Sequence, residues 1–225
     1  MASFEQGSVD EEFILLLLCA LVMEKPFLLL GNCKNVDYLL NSLPLDVPIV
    51  DLTLQTEDEL LNTSMTIQEQ TVVYTAQLSD LWTLPSLLLN HIPVSFIVTK
   101  PFPMITTMQL LSIDVLNQLK SNYKEIYSSP HILVKIHKII NEFYKSTVIS
   151  RYDGSKNQFN LLLKAFAVVL EKDFVNDAMI PAMSEKAMVH KLYYEPNLTP
   201  TISPDKRSFI EERKSFIVAA VKKFI

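Results

Sequence analysis

The chain is expected to fold as an α/β protein, with a parallel sheet interleaved with helices and a small all-helical part after it. Two features of the sequence carry that expectation. First, short apolar runs without polar alternation recur at Phe27–Leu30, Ile49–Leu54, Thr71–Ala76 and Val94–Thr99, each followed by a helical pattern. Such runs suit strands covered on both faces, and strand followed by helix, repeated, implies right-handed parallel crossovers. Second, from about Tyr123 the strand-like runs stop and apolar residues fall at helical spacing.

Asp10–Glu24 reads as a buried, leucine-rich helix whose acidic first turn suits the helix dipole. Pro26 ends it, and Phe27–Leu30 is the first strand, closed by Gly31 and Asn32. Val36, Leu39, Leu40 and Leu43 share one side of a helix over Val36–Leu43. The strand Ile49–Leu54 leads to a short helix over Thr56–Asn62. Thr71–Ala76 leads to a helix over Asp80–His91, and Val94–Thr99 to a helix over Thr107–Lys120. The join near Lys120–Pro130 is rich in Ser, Asn, Tyr and Pro. Beyond it, helices are expected at Ile132–Thr147, at Asn157–Leu170 after an Asp153-Gly154-Ser155 turn, at Asp177–Leu192 and at Pro204–Phe224. The expected division is a core over 10–122, a helical unit over 130–195 and a terminal helix over 204–225.

Only 3 glycines occur in 225 residues, against an average near 7%, which weighs against a glycine-rich phosphate loop. The net charge of −5 weighs against a general nucleic-acid surface. The C-terminal stretch is more basic, but Glu211 and Glu212 interleave its lysines and arginines, so it reads as a solvated helix face. Phe13–Met23 is too short to span a bilayer, and acidic residues precede it where a signal peptide wants positive charge. The expectation is a soluble protein of the cytoplasm or nucleus. Cys19 sits in an apolar run as a small core residue. With Cys33 it lacks partners at ligand spacing, so no metal site is expected. Asn62-Thr63-Ser64 and Asn197-Leu198-Thr199 match the glycosylation pattern by chance.

Particular residues carry a family resemblance. Leu15–Gly31 (LLLLCALVMEKPFLLLG) looks like the helix and first strand that precede the phosphate loop in MoxR and magnesium-chelatase ATPase subunits. Tyr152–Leu192 resembles the helical lid of that family, with Asp173-Phe174-Val175 and His190-Lys191-Leu192 at the places of two of its motifs. The likeness is patchy over roughly residues 10–195. A weaker likeness extends to fungal magnesium-chelatase-like proteins, including a telomere-capping-maintenance family. The resemblance implies an AAA+ P-loop NTPase-like core followed by a helical lid, and protein partners such as a related ATPase or further copies of the chain.

The same resemblance locates a site whose chemistry is incomplete. A phosphate loop needs Gly-x4-Gly-Lys-Ser/Thr: backbone N–H groups to approach phosphate, an ammonium to neutralise it, and a hydroxyl to hold Mg²⁺. Starting at Gly31, Val36 stands for the second glycine, Asp37 for the lysine and Tyr38 for the hydroxyl. Lys34, shifted by three residues, is the one substitute phosphate contact; otherwise it belongs to a solvated turn. The strand Thr71–Thr75 is followed by Ala76-Gln77 and not by Asp-Glu. Asp80 comes four residues late and is expected to N-cap a helix starting at Leu81. The residue that would sense the γ-phosphate falls near Lys100, and the lid arginine falls at Asn157 or Gln158. Pro101–Pro130 contains no arginine; Lys120 and Lys124 are its only cations.

The four histidines, His91, His131, His137 and His190, read as surface or helix-end residues, and His131 and His137 are off the i, i+4 spacing of a shared metal. No Ser or Cys sits in a nucleophile elbow. Trp82 reads as core or a partial interface anchor. Phe209, Phe216 and Phe224 belong to a broad apolar stripe that either packs on its own domain or binds a partner. No catalytic residue, cofactor or metal is expected; Gly31 and Lys34 are the contacts if a nucleotide binds. The expected function is a non-enzymatic AAA+-like scaffold or subunit with protein partners, no membrane and no nucleic acid. The alternatives are an active ATPase built on unusual residues and a compact nucleic-acid accessory protein.

Overall fold

The computed structural model describes residues 11–41, 43, 45–66, 70–81, 83–102, 112–146, 149–152, 155–194 and 206–225. Helix α1 (Glu11–Met23) opens on Glu11 and Glu12, whose charges favour the positive end of its dipole. It anchors through Phe13, which is fully buried with its ring 4.7 Å from Phe102, 5.7 Å from Phe96 and 5.8 Å from Phe27. Next comes β1 (Phe27–Gly31), where Phe27, Leu28, Leu29 and Leu30 are all at 0% exposure. Successive strand side chains point to opposite faces, so both faces of β1 are covered, which accounts for its uninterrupted apolar run.

The chain continues through α2 (Val36–Leu40), β2 (Ile49–Asp51), α3 (Glu57–Thr66), β3 (Val73–Ala76), α4 (Ser86–His91) and β4 (Val94–Val98). The four strands form one parallel sheet in the order β2-β3-β1-β4. Leu30 stands opposite Ala76 on one side and Ile97 on the other. The expected strand at 49–54 is shorter. Asp51 turns it into a single 3-10 turn by accepting from Thr53 N–H at 3.0 Å and from its hydroxyl at 2.7 Å. The expected helix over 80–91 is likewise corrected. A 3-10 turn covers Leu78–Asp80, and the helix begins only after Pro85, which lacks an N–H and stands at the helix start.

Beyond the sheet, α5 (Ile113–Glu125), α6 (Pro130–Lys145) and α7 (Lys156–Val169) each begin on a serine cap, Ser112, Ser129 and Ser155. Each serine accepts from the N–H three residues on. After α7 come α8 (Met179–Met188), a 3-10 turn at Val189–Lys191 and α9 (Lys206–Lys222). The helical part differs from expectation in two respects: the helix expected over Asp177–Leu192 stops at Met188 and gives way to the 3-10 turn, and two short strands are present. β5 (Ile149–Tyr152) and β6 (Leu192–Tyr194) pair antiparallel as a two-stranded ribbon. Both strands are too short to show a period in the sequence. Helix α7 packs on α1, α6 and α8, α5 packs on α1 and α7, and α8 reaches β4. The stripe on α9 turns inward: Ile210, Ile217, Ala220 and Val221 are buried, α9 packs on α6 and α8, and Phe216 meets Phe143 at 5.7 Å. The structure is therefore that of a parallel-sheet core plus a helical part. Trp82, Thr107–Leu111, Asp153-Gly154, the side chain of Ser64, Asn197-Leu198-Thr199, Pro204 and the side chain of Phe209 lie outside the described residues.

Glu171 closes α7 in the left-handed conformation, with φ 56°. Lys172 N–H reaches back to Ala167 O at 2.9 Å and Glu171 N–H to Val168 O at 2.9 Å, the pattern of a helix end that glycine usually supplies. Glu171→Gly is expected to stabilise the protein by about 0.5–1 kcal/mol by relieving the side-chain penalty, read as a higher urea midpoint at unchanged slope.

Candidate functional site

In open parallel sheets, ligands sit at the carboxyl ends of the strands. There the turn after β1, Gly31–Asn35, meets the ends of β2 and β3. Gly31 has φ 114°, and a Cβ on it would stand 2.5 Å from Val98 O. It is glycine because β4 approaches its backbone. The turn and the first residue of α2 then spend their amides: Asn32 N–H donates to Val98 O at 3.2 Å, Cys33 N–H to Gly31 O at 3.0 Å and Val36 N–H to Cys33 O at 3.3 Å. An anion-cradling loop leaves such groups pointing at the ligand. Asn35, left-handed at φ 65°, donates from its side chain to Phe102 O at 2.9 Å, and Phe102 N–H donates to Lys34 O at 3.2 Å. The turn is thereby tied to the loop after β4. Helix α2 has only 5 residues, with Asp37 in its first turn, so it has little dipole to offer an anion.

A cavity of about 340 Å³ opens beside the turn. Lys34 is its only lining cation among the described residues, against the carboxylates of Asp37 and Asp51. Lys34, Asp37 and Tyr38 are exposed and Val36 is buried. Asp51 was not singled out from the sequence, although Ile49-Val50-Asp51 has the pattern of apolar residues followed by acid. Reading 49–54 as one strand hid the fact that the chain turns at Asp51. Cys33, half-buried between these ends, has its thiol pushed up to about 12, first by burial and then by Asp51. Cys19 is fully buried and burial raises its thiol as well. No three His, Cys, Asp or Glu side chains gather at metal-binding distance among the described residues.

A larger cleft of about 980 Å³ runs from Gly31 and Gln77 along β4 to α8 and α9. Lys100 is exposed at its sheet end. The other lysines are already paired: Lys186 to Glu12 at 2.8 Å, with Nζ 5.6 Å from the Phe96 ring centre, and Lys214 to Glu211 at 3.4 Å and Glu185 at 4.0 Å. Asp80 does not cap a helix at Leu81: its carbonyl accepts from Thr83 and its carboxylate from Ser79. Gln158 donates to Asn90 O and accepts from Lys191 Nζ at 2.5 Å, so it joins α7 to α4 and to the turn after α8.

Of the four histidines expected at the surface or at helix ends, His190 stands at a helix end, in the turn after α8, but it is buried. His91, His131 and His137 are exposed, but His190 is at 0% exposure. Its Nε2 lies 3.0 Å from Ile92 O, which can only accept, so Nε2 carries the proton and Nδ1 accepts from the Ser95 hydroxyl at 2.8 Å. Burial first, then the cation of Lys191, hold its pKa well below the usual value, with Arg213 acting in the same direction and the Ile92 carbonyl opposing. Arg213 is also buried and donates to Val189 O at 3.1 Å. The imidazole thus fastens the helical part to β4. The only sequence signal for it was the likeness of His190-Lys191-Leu192 to a lid-helix end.

No protein-family model matches the chain, and no curated protein matches it. Its structure is similar to the crystal structure of a candidate ATPase from Cytophaga hutchinsonii, with a TM-score of 0.67 and 13% sequence identity over 96% of this chain and 89% of that one. At that identity the likeness shows the fold alone: a P-loop NTPase-like parallel-sheet core followed by a helical part.

Proposed function

We propose that this chain is a catalytically inactive AAA+-like module of the magnesium-chelatase/MoxR type, acting as a scaffold or subunit in a protein complex of the cytoplasm or nucleus. Residues 10–122 serve as its core, 130–195 as its lid and 204–225 as its terminal helix. The observation that carries the reading is the turn after β1. Two of its amides, and that of Val36 directly after it, are committed to the protein's own carbonyls, and the adjoining cavity sets two carboxylates against one ammonium. A triphosphate entering there would meet Asp37 and Asp51; at about 4 Å each charge pair is worth about 1 kcal/mol even in a water-like medium. The ion pairs across the larger cleft support the same reading, because Glu12, Glu185 and Glu211 already neutralise two of its three lysines, Lys186 and Lys214. A related ATPase or further copies of the chain are the partner classes, and among the described residues no helix is long and apolar enough to cross a membrane.

Titration calorimetry with a non-hydrolysable ATP analogue, with and without Mg²⁺, tests this. The expected result is no saturable heat up to about 1 mM, corresponding to binding weaker than about 4 kcal/mol. Micromolar binding that disappears in Lys34→Ala would reinstate the active ATPase that uses non-standard residues.

A further inference from the structure

The surface away from the strand ends carries a second groove, of about 580 Å³, between α5 and the turn that closes α7. Val115, Leu119, Ile126 and Val168 form its apolar side. Tyr127 and Phe174, next in the chain to the lining residues Ile126 and Asp173, are 60% and 57% exposed, and their backbones are paired because Tyr127 N–H donates to Asp173 O and Val175 N–H to Tyr127 O. Exposed aromatics on a paired backbone are typical anchors of protein interfaces. Charge is one-sided: Glu125, Glu171 and Asp173 line the groove with a single cation, Lys172. None of the three carboxylates has an ion-pair partner among the described residues. The negative end of the α7 dipole faces the same place.

We infer that this groove receives an amphipathic helix of a partner protein, one that presents aliphatic side chains flanked by lysine or arginine. Charge complementarity selects the cations, because three uncompensated carboxylates at a helix C-terminus favour positive charge and repel an acidic segment. The walls select a helix over a strand. The amides of Glu171, Lys172, Tyr127 and Val175 are already bonded within the chain, so docking falls mainly to side chains. The inference deepens the scaffold reading and rests on it, since it names the surface and the chemistry of a protein partner.

Two fluorescent model peptides test it by anisotropy: a leucine–lysine amphipathic helix, and the same apolar face flanked by glutamates. The lysine peptide is expected to bind saturably and to weaken as salt rises, and the glutamate peptide not to bind. The double variant Glu125→Lys/Asp173→Lys should raise Kd by about tenfold or more. Glu57→Lys/Asp58→Lys, an equal charge change on exposed residues of α3, should leave it within about twofold. Tyr127→Ala should weaken binding without altering the circular dichroism spectrum. Equal weakening by the two double variants, or no saturable binding of the lysine peptide, overturns the groove. Nucleotide titration on the same samples separates the two ideas: absent peptide binding with absent nucleotide binding removes only the groove, whereas micromolar nucleotide binding removes the inactive reading.

Discussion

Gly31→Ala is expected to lower the unfolding free energy by about 3 kcal/mol or more, the sum of a strained backbone and an overpacked contact. At φ 114° an L side chain is disfavoured by itself. The added methyl would also stand 2.5 Å from the carbonyl of Val98, on the neighbouring strand and paired in register with Gly31. A backbone atom cannot rotate aside as a side-chain tip can, so β1 and β4 must separate and the Asn32 N–H to Val98 O bond goes with them. Urea denaturation reads the loss. Lys34→Ala, three residues on and exposed, is expected to stay within about 0.5 kcal/mol. The contrast bears on function as well as on stability, because it separates a glycine required by strand packing from one kept for phosphate. If Gly31→Ala melts like the parent protein, the strand-contact account is wrong and this glycine needs another explanation.

The same glycine shows what the sequence could and could not reveal. Phe27–Leu30 followed by Gly31 was readable as strand and turn because four consecutive apolar residues need cover on both faces. The four strands of the sheet and most of the helices followed from similar local rules. Boundaries moved where a single residue redirected the chain: Asp51 by bonding Thr53, Pro85 by restarting the helix. The site was legible as a list of departures from a phosphate loop, but not as geometry. That the turn bonds its own amides, and that Asp51 joins Asp37 at one cavity, depend on which strand ends the sheet brings together. That juxtaposition is set by the order β2-β3-β1-β4, which no local pattern encodes. His190 belongs to the same class. Its partners, Ser95 and Ile92, are 95 and 98 residues away, so nothing adjacent in sequence distinguishes it from the three exposed histidines.

His190 also makes the fold acid-labile in a predictable window. Its folded-state pKa is held well below the ordinary imidazole value by burial and by the cations of Lys191 and Arg213, whereas in the unfolded chain it titrates at about 6.5. Above that pH both states carry neutral imidazole and the bonds to Ser95 and Ile92 contribute in full. Between the unfolded and folded values the unfolded chain holds a proton that the folded protein lacks. Stability therefore falls with acidification, by up to about 1.4 kcal/mol per pH unit, until the folded value is reached. Carboxylates titrate below the same range, so the measurement is a difference: urea unfolding of the parent protein and of His190→Gln at pH 7.5, 6.5, 5.5 and 4.5. His91, His131 and His137 remain in both proteins and cancel. His190→Gln is expected to be less stable than the parent at pH 7.5 by about 1–3 kcal/mol, having broken a buried hydrogen-bonded pair. The gap should then narrow steadily as pH falls, because only the parent protein has a buried imidazole that resists protonation. A gap of constant size from pH 7.5 to 4.5 would mean that the ring is not held neutral between β4 and the turn after α8, and the tether between sheet and helical part would have to be sought in Arg213, Gln158 and the Lys186–Glu12 pair.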